Sequence, residues 1–280
     1  MKVERSAEIG LCFGVSRAVK LLKEAASKYG EIEVLGAPAH NQWIVDYLSQ
    51  VGVKVIDDLN QLNGKAVAVG SHGISPQLIK EIQAQEIAII DTTCPIVRKA
   101  QEVAQEMVER DFNVIVFGNP VHPEVKGITG WTEGKGIATL DAEISWDKLP
   151  RRLGILSQTT QIETQFTKFV NSLIVSCLPQ VEQISIVNTI CAVTKKRQLL
   201  AIDLAKRADL VIVVGGRNSA NTQHLADTCS SLGVETHLIE TAAELKRDWL
   251  NGKRHLGITS GTSTPNELIQ EIIEMMEAML

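Results

Sequence analysis

The sequence predicts an α/β protein of three pseudo-equivalent small domains with parallel-rich sheets, and three observations carry that prediction. A phrase is written three times around a cysteine. Asp91-Thr92-Thr93-Cys94 has Lys99 five and Gln101 seven positions on, Asn188-Thr189-Ile190-Cys191 has Lys196 and Gln198 at the same offsets, and a weaker copy, Gly10-Leu11-Cys12, has Arg17 at the fifth position. The spacing beyond is shared: Gly36, Gly118 and Gly215 lie 24 positions after their cysteines, and His40, His122 and Ser219 lie 28 after. Between these landmarks, apolar runs of four to six residues alternate with stretches of helical periodicity, the pattern of buried parallel strands joined by helices.

In the first unit, strands are expected at Ile32 to Leu35, Val53 to Ile56, Ala66 to Val69 and Ile87 to Ile90. In the second they fall at Val114 to Phe117, Gly136 to Leu140, Leu153 to Leu156 and Ile184 to Val187. The third has Leu210 to Val214, Glu235 to Leu238 and His255 to Ile258, and is one strand short. The last strands of the first two units run into the next cysteine, and the strand-like run that leads into Cys12 is Val3 to Ile9. The N-terminal segment is therefore expected to complete the third sheet, closing the units into a ring with the cysteines near a pseudo-threefold axis. Domain boundaries are placed at the cysteines: residues 13–94, 95–190, and 1–12 together with 191–280. Helical faces follow each cysteine, at Val15-Ala18-Val19-Leu22, at Val97-Ala100-Ala104-Met107-Val108 and at Val193-Leu200-Ala201-Leu204-Ala208.

Composition narrows the function classes. With 280 residues and 44% apolar content the chain can bury substantial cores. A net charge of -5 and the lack of a basic arm argue against non-specific nucleic-acid binding, and 4% aromatics disfavour a base-stacking platform. No run of 18 apolar residues suggests a membrane span, and Met1-Lys2-Val3-Glu4-Arg5 does not open a signal peptide, so a soluble cytoplasmic protein is expected. Five cysteines without a Cys-x-x-Cys pair point to reduced thiols rather than a disulfide framework.

The landmarks sit where parallel strands end and helices begin, which is where α/β proteins collect ligands. Pro95 suits the first position of a helix, making Cys94 an N-cap, and the positive end of a helix dipole favours a thiolate there. A lone cysteine is most often a small core residue, the reading for Cys177 and Cys229. Cys12, Cys94 and Cys191, with shared flanks, instead read as a three-thiolate metal seat, holding either an iron–sulfur cluster with one open iron or a zinc ion in a non-redox module that binds phosphorylated molecules. His40, His72, His122, Ser219, Asn221 and Ser263 lie in strand-end loops suited to phosphate oxygens, although hydroxyl residues there also cap helices. Glu124, next to His122-Pro123, offers a proton source and is not repeated after the other cysteines. His224, His237 and His255 read as ordinary surface or core histidines, and Lys195-Lys196-Arg197 as a solvated helix face.

Taken together, Gly10-Leu11-Cys12-Phe13-Gly14-Val15-Ser16-Arg17-Ala18-Val19, Asp91-Thr92-Thr93-Cys94-Pro95, His122-Pro123-Glu124-Val125 with Gly127, Gln158-Thr159-Thr160, Thr189-Ile190-Cys191, Asn218-Ser219-Ala220-Asn221 and Gly261-Thr262-Ser263-Thr264-Pro265 resemble the 4-hydroxy-3-methylbut-2-enyl diphosphate reductase family over nearly the whole chain. The resemblance implies a trefoil of three α/β domains around one 4Fe-4S cluster held by Cys12, Cys94 and Cys191. It implies reductive loss of the substrate's allylic hydroxyl, giving isopentenyl and dimethylallyl diphosphate in the last step of the methylerythritol phosphate route. The diphosphate would be held by His40, His72, His122, Ser219, Ala220, Asn221 and Ser263. Glu124 would deliver protons with His122 beside it, Thr159 would order the hydroxyl, and electrons would come from a donor such as ferredoxin or flavodoxin. Ala220 stands where many members carry a second serine, Asn119-Pro120-Val121 replaces a common Gly/His-containing lead, and Gly216-Arg217 replaces a Ser-Lys pair.

Overall fold

The computed structural model describes residues 2–144 and 150–279. Met1, residues 145–149 and Leu280 lie outside the described residues, and with them the outermost positions of the third expected domain. In chain order the elements are β1 (Lys2–Arg5), α1 (Phe13–Tyr29), β2 (Ile32–Leu35), α2 (Gln42–Gln50), β3 (Val53–Ile56), β4 (Ala66–Val69), α3 (Pro76–Gln83), β5 (Ala88–Asp91), α4 (Pro95–Glu109), β6 (Asn113–Phe117), α5 (Pro123–Gly130) and β7 (Gly136–Thr139). There follow β8 (Arg152–Ser157), α6 (Glu163–Cys177), β9 (Gln183–Ile186), α7 (Ala192–Ala205), β10 (Leu210–Val214), α8 (Ala220–Ser231), β11 (Glu235–Ile239), α9 (Arg247–Leu250), β12 (His255–Ser260) and α10 (Asn266–Met279).

The strands form three four-stranded sheets, ordered β3-β2-β4-β5, β7-β6-β8-β9 and β11-β10-β12-β1. Every pairing is parallel. The order is the same each time: a unit's first and third strands are central, and its second and fourth are edges. β1 fills in the third sheet the edge that β5 and β9 fill in the other two, pairing Lys2 with His255 through Arg5 with Ile258. It stops earlier than the apolar run suggests. Ser6 donates one last amide bond to Ile258 O at 2.8 Å, and Gly10, at φ +88°, turns the chain toward Cys12.

The chain divides into two compact units, one of Met1–Ser16, Ala39–Gln50 and Ala192–Leu280, the other of Arg17–Pro38 and Val51–Cys191. The first contains the sheet ending in β1; the second contains the other two. Side chains alternate between faces along the central strands. Leu210, Ile212 and Val214 pack into one apolar cluster with α10, whereas Val211 and Val213 join α7 and α8 in another. Val114 and Val116 likewise face α4 while Ile115 and Phe117 face α6. Both faces of these strands are therefore covered, which is why they read as continuous apolar runs rather than alternating ones. Each such side chain contributes about 1.5–3 kcal/mol by leaving water.

The glycine at the end of each first strand has a common role. Gly36 N donates to Ile56 O at 2.9 Å, Gly118 N to Thr139 O at 3.0 Å and Gly215 N to Ile239 O at 3.0 Å, so each bonds the last residue of the neighbouring second strand. The reason for glycine differs among them. Gly36 and Gly215 have φ of +72° and +148°, whereas a Cβ on Gly118 would lie 2.8 Å from both Gln158 Cβ and Val125 Cγ2.

Candidate functional site

Each repeated cysteine is the residue immediately before a helix: Cys12 before α1, Cys94 before α4, Cys191 before α7. Cys94 is the N-cap of α4, with Pro95 in its first turn. Their backbones are anchored alike. Cys12 N donates to Thr262 O at 2.9 Å, Cys94 N to Ser71 O at 3.0 Å and Cys191 N to Thr159 O at 2.8 Å. All three acceptors stand two residues beyond the end of a third strand, namely β12, β4 and β8.

The Thr-x-Cys phrase explains itself at the same place. Thr92 Oγ1 donates to Val69 O at 2.6 Å, and Thr189 Oγ1 donates to Ser157 O, so both hydroxyls tie the cysteine loop to the end of the third strand. Gly10 occupies this position in the N-terminal copy, and the bond is reversed: Gly10 N donates to Ser260 Oγ at 2.9 Å. The weaker sequence match thus preserves the connection with donor and acceptor exchanged. No side chain fits at Gly10, where a Cβ would meet Asn266 Oδ1 at 2.2 Å.

The three thiols are half-buried, unlike Cys177 and Cys229, which are buried in apolar clusters as expected. Burial pushes the Cys229 thiol up to about 11, a property of a packing residue rather than a ligand. Cys12 Sγ accepts the Val15 amide at 3.5 Å, in the first turn of α1. Half-exposed thiols anchored at helix starts are a donor set that fits a cysteine-ligated metal group.

In the second unit, Glu124 follows N-cap His122 and Pro123 in the first turn of α5. Its carboxylate is 2% exposed and accepts the Thr159 amide at 2.6 Å. Burial raises its pKa above the ordinary carboxylate value, partly offset by the hydrogen bonds from the Thr159 amide and side chain. His122 Nδ1 accepts the Glu124 amide at 3.1 Å, which places the proton of a neutral ring on Nε2. The His72 ring meets that of His122 edge-on, with centroids 5.5 Å apart.

In the compact unit that contains β1, Ser219, Asn221, Ser263 and His40 stand around the ends of β10 and β12. Ser219 caps α8, its Oγ accepting the Thr222 amide at 3.4 Å, which leaves the hydroxyl hydrogen available to donate. Asn221 is 2% exposed, and neither its amide nitrogen nor its oxygen has a hydrogen-bond partner. Ser263 Oγ reaches His40 O at 3.4 Å. Gly216 leaves that carbonyl room, since a Cβ there would lie 2.2 Å from it. Burial lowers the pKa of His40 and so favours the neutral ring. Ala220, half-buried, opens α8 beside these groups.

Asn221 and Glu124 lie at the same offset, 30 positions after their cysteines. The carboxylate is engaged with Thr159, while neither polar atom of the Asn221 side chain has a hydrogen-bond partner. Sequence reading singled out both residues but did not see their equivalence, which the shared spacing could have revealed.

One reading is corrected. Lys195-Lys196-Arg197 is not a solvated face throughout: Lys196 is exposed and pairs with Glu8, but Arg197 is buried at 3% exposure. Its Nη1 donates to Ser260 O and Gly261 O at 3.1 and 2.9 Å, and its Nη2 to Gly10 O at 2.6 Å. The helical turn carries Arg197 inward while Lys196 points out, a distinction a charge run conceals. His237, stacked on Trp249 at 3.7 Å, and His255, bonded to Glu4, stand apart from these groups in the sequence and make local contacts as expected.

Comparison with known proteins follows the same lines. The LytB protein family model matches residues 3–277. A 4-hydroxy-3-methylbut-2-enyl diphosphate reductase of Dehalococcoides mccartyi is 45% identical, with 100% of this chain and 99% of the relative covered. One of Geobacter metallireducens is 40% identical, with 98% and 96% covered. Among solved structures, the E-1-hydroxy-2-methyl-but-2-enyl-4-diphosphate reductase from Plasmodium falciparum superposes with a TM-score of 0.90 at 26% identity, covering 97% of this chain and 86% of that one. A second, (E)-4-hydroxy-3-methyl-but-2-enyl diphosphate reductase, described as the terminal enzyme of the non-mevalonate pathway, gives 0.71 at 31% identity with 99% of each covered. The chain belongs to the LytB protein family.

Proposed function

We propose that this chain reduces (E)-4-hydroxy-3-methylbut-2-enyl diphosphate to isopentenyl and dimethylallyl diphosphate, closing the non-mevalonate route in the cytoplasm with electrons from a ferredoxin- or flavodoxin-type donor. The relatives' names supply the reaction. The observation that carries it is a hydrogen-bonded chain: Glu124 Oε1 accepts from Thr159 N, and Thr159 O accepts from Cys191 N. A protonatable carboxyl is thereby wired to the backbone of one of the proposed metal ligands.

Cys12, Cys94 and Cys191 would hold a 4Fe-4S cluster, leaving one iron without a protein ligand; when bound, the cluster supplies electrons and a Lewis-acidic iron for the allylic oxygen. Glu124, kept toward its neutral form by burial, holds the proton that leaves with that oxygen as water. Thr159 orders the hydroxyl. Neutral donors bind the diphosphate: His40, His72 and His122 through ring N–H, Ser219 and Ser263 through hydroxyls, Asn221 through its amide, with Ala220 supplying only the start of a helix. A pocket of this kind needs no lysine wall, in keeping with the net charge of -5. Three domains, residues 13–94, 95–190 and 1–12 with 191–280, have their boundaries at the three proposed ligands, a division supported by the three identical strand orders.

Protein purified without air and reconstituted with iron and sulfide tests the reading. Four irons and four sulfides per chain are expected by the cluster type, together with conversion of the allylic diphosphate by a chemical reductant. A colourless protein holding one zinc, and inert toward the substrate, would sink it.

A further inference from the structure

Two arginines connect the cysteine segments, and neither has a place in the chemistry described above. Arg17 lies five residues after Cys12, in α1, and its Nη1 donates to Thr93 O at 3.1 Å. Thr93 is the residue before Cys94. Arg197 lies six residues after Cys191, in α7, and its Nη2 donates to Gly10 O at 2.6 Å. Gly10 is two residues before Cys12. Each arginine thus reaches from the helix that follows one cysteine to the backbone that leads into another.

Arg197 does more than touch Gly10. Through Nη1 it also holds Ser260 O and Gly261 O, and Gly10 N is bonded to Ser260 Oγ. Cys12 N is bonded to Thr262 O in the same loop. The loop carrying Cys12 and the loop leading to Ser263 are therefore one hydrogen-bonded block, with the buried guanidinium at its centre. Geometry makes the residue type specific: a guanidinium presents five N–H donors in a rigid fork, whereas an ammonium is a point charge on a flexible stem. Two loops gripped by three carbonyl contacts need the fork. At Thr93 the grip is a single carbonyl, and the Thr93 side is further steadied by Asp91, whose side chain accepts the Thr93 amide at 2.9 Å and pairs with Arg98.

We propose that Arg17 and Arg197 are positioning residues that set the backbone of the Cys94 and Cys12 ligands relative to the helices of the preceding cysteines, so that the loops leading into these two ligands are held in place before a metal group binds. The inference rests on the reading of Cys12, Cys94 and Cys191 as cluster ligands. It predicts an asymmetry between the two arginines: lysine can replace Arg17, with one carbonyl to hold, but not Arg197, with three.

The test uses the full chain, reconstituted anaerobically, with iron and sulfide per chain and the electron paramagnetic resonance spectrum of the reduced cluster as readouts. Arg17→Met and Arg197→Lys are each expected to lose at least threefold in retained iron after desalting and to alter the spectrum of what remains, while Arg17→Lys restores wild-type values. A packing role alone would lower the melting temperature and leave the spectrum of the retained cluster unchanged. Wild-type iron content and spectrum in Arg17→Met or in Arg197→Lys would overturn the assignment for that arginine. Should Arg197→Lys fail to fold, the rescue of Arg17→Met by Arg17→Lys decides. Absence of iron from the wild-type protein under the same treatment would instead overturn the cluster reading itself.

Discussion

The Thr159 amide donates a 2.6 Å hydrogen bond to Oε1 of Glu124, and the Thr159 carbonyl accepts the amide of Cys191. Thirty-five positions separate Glu124 from Thr159 in sequence. Their meeting turns a helix-start carboxylate, ordinarily a surface residue that favours the dipole, into a buried acid held against the loop of a proposed metal ligand.

Glu124→Gln keeps an oxygen for the Thr159 amide and removes the proton donor. Turnover is expected to fall by at least 100-fold, the lower range for loss of a general acid, with iron content unchanged. Turnover near wild type would show that the proton comes from elsewhere.

The same variant carries a stability signature. Burial raises the Glu124 pKa above its ordinary 4.5, so the folded protein favours the neutral carboxyl. Below the unfolded value both states are protonated and the group imposes no penalty; as pH rises through the folded value, deprotonation costs stability. The melting temperature of Glu124→Gln relative to wild type is therefore expected to rise from pH 4.5 upward and then level off. A difference that stays flat across this range would contradict the burial argument.

Asn221 presents the opposite balance. Each buried polar group left without a partner costs about 1–3 kcal/mol, so Asn221→Ala should leave the melting temperature unchanged or raise it. Its KM for the diphosphate substrate should nevertheless increase about tenfold, the effect of one lost hydrogen bond to a charged group. A destabilised variant with normal KM would mark Asn221 as a packing residue.

Ala220→Ser adds a hydroxyl at the first residue of α8. If that position faces the diphosphate, KM falls about two- to tenfold, the worth of one hydrogen bond of roughly 0.5–1.5 kcal/mol. Isothermal titration with inorganic diphosphate checks the same gain without turnover.

Serine at Cys12, Cys94 or Cys191 should each reduce bound iron to a small fraction of wild type. Cys229→Ser should keep its iron and lose about 1–3 kcal/mol of stability, since it places a hydroxyl among Ala201, Val211 and Leu225. Iron analysis and denaturant unfolding separate the two outcomes.

Sequence alone determined the repeat, the strand positions and the equivalent places of the three cysteines before helices, because these are written in local pattern: apolar runs fix buried strands, and equal offsets from Cys12, Cys94 and Cys191 fix equivalent junctions. It even placed the N-terminal segment as the missing fourth strand, since the unit at 191–280 was one strand short. What the tertiary structure decided are the partners. Gly36 is glycine for backbone conformation, Gly118 for space and Gly215 for both, a difference invisible until Gln158 and Val125 are brought beside Gly118 and Thr222 and Thr264 beside Gly215. Arg197 reads as surface charge beside Lys195 and Lys196, yet the helix rotation of about 100° per residue directs it to carbonyls 63, 64 and 187 positions away. Glu124 was visible as an acid, but its burial and its bond to Thr159 were not. Periodicity records which side of an element faces inward; it holds no information on which distant backbone group waits there, and that is what gives these residues their chemistry.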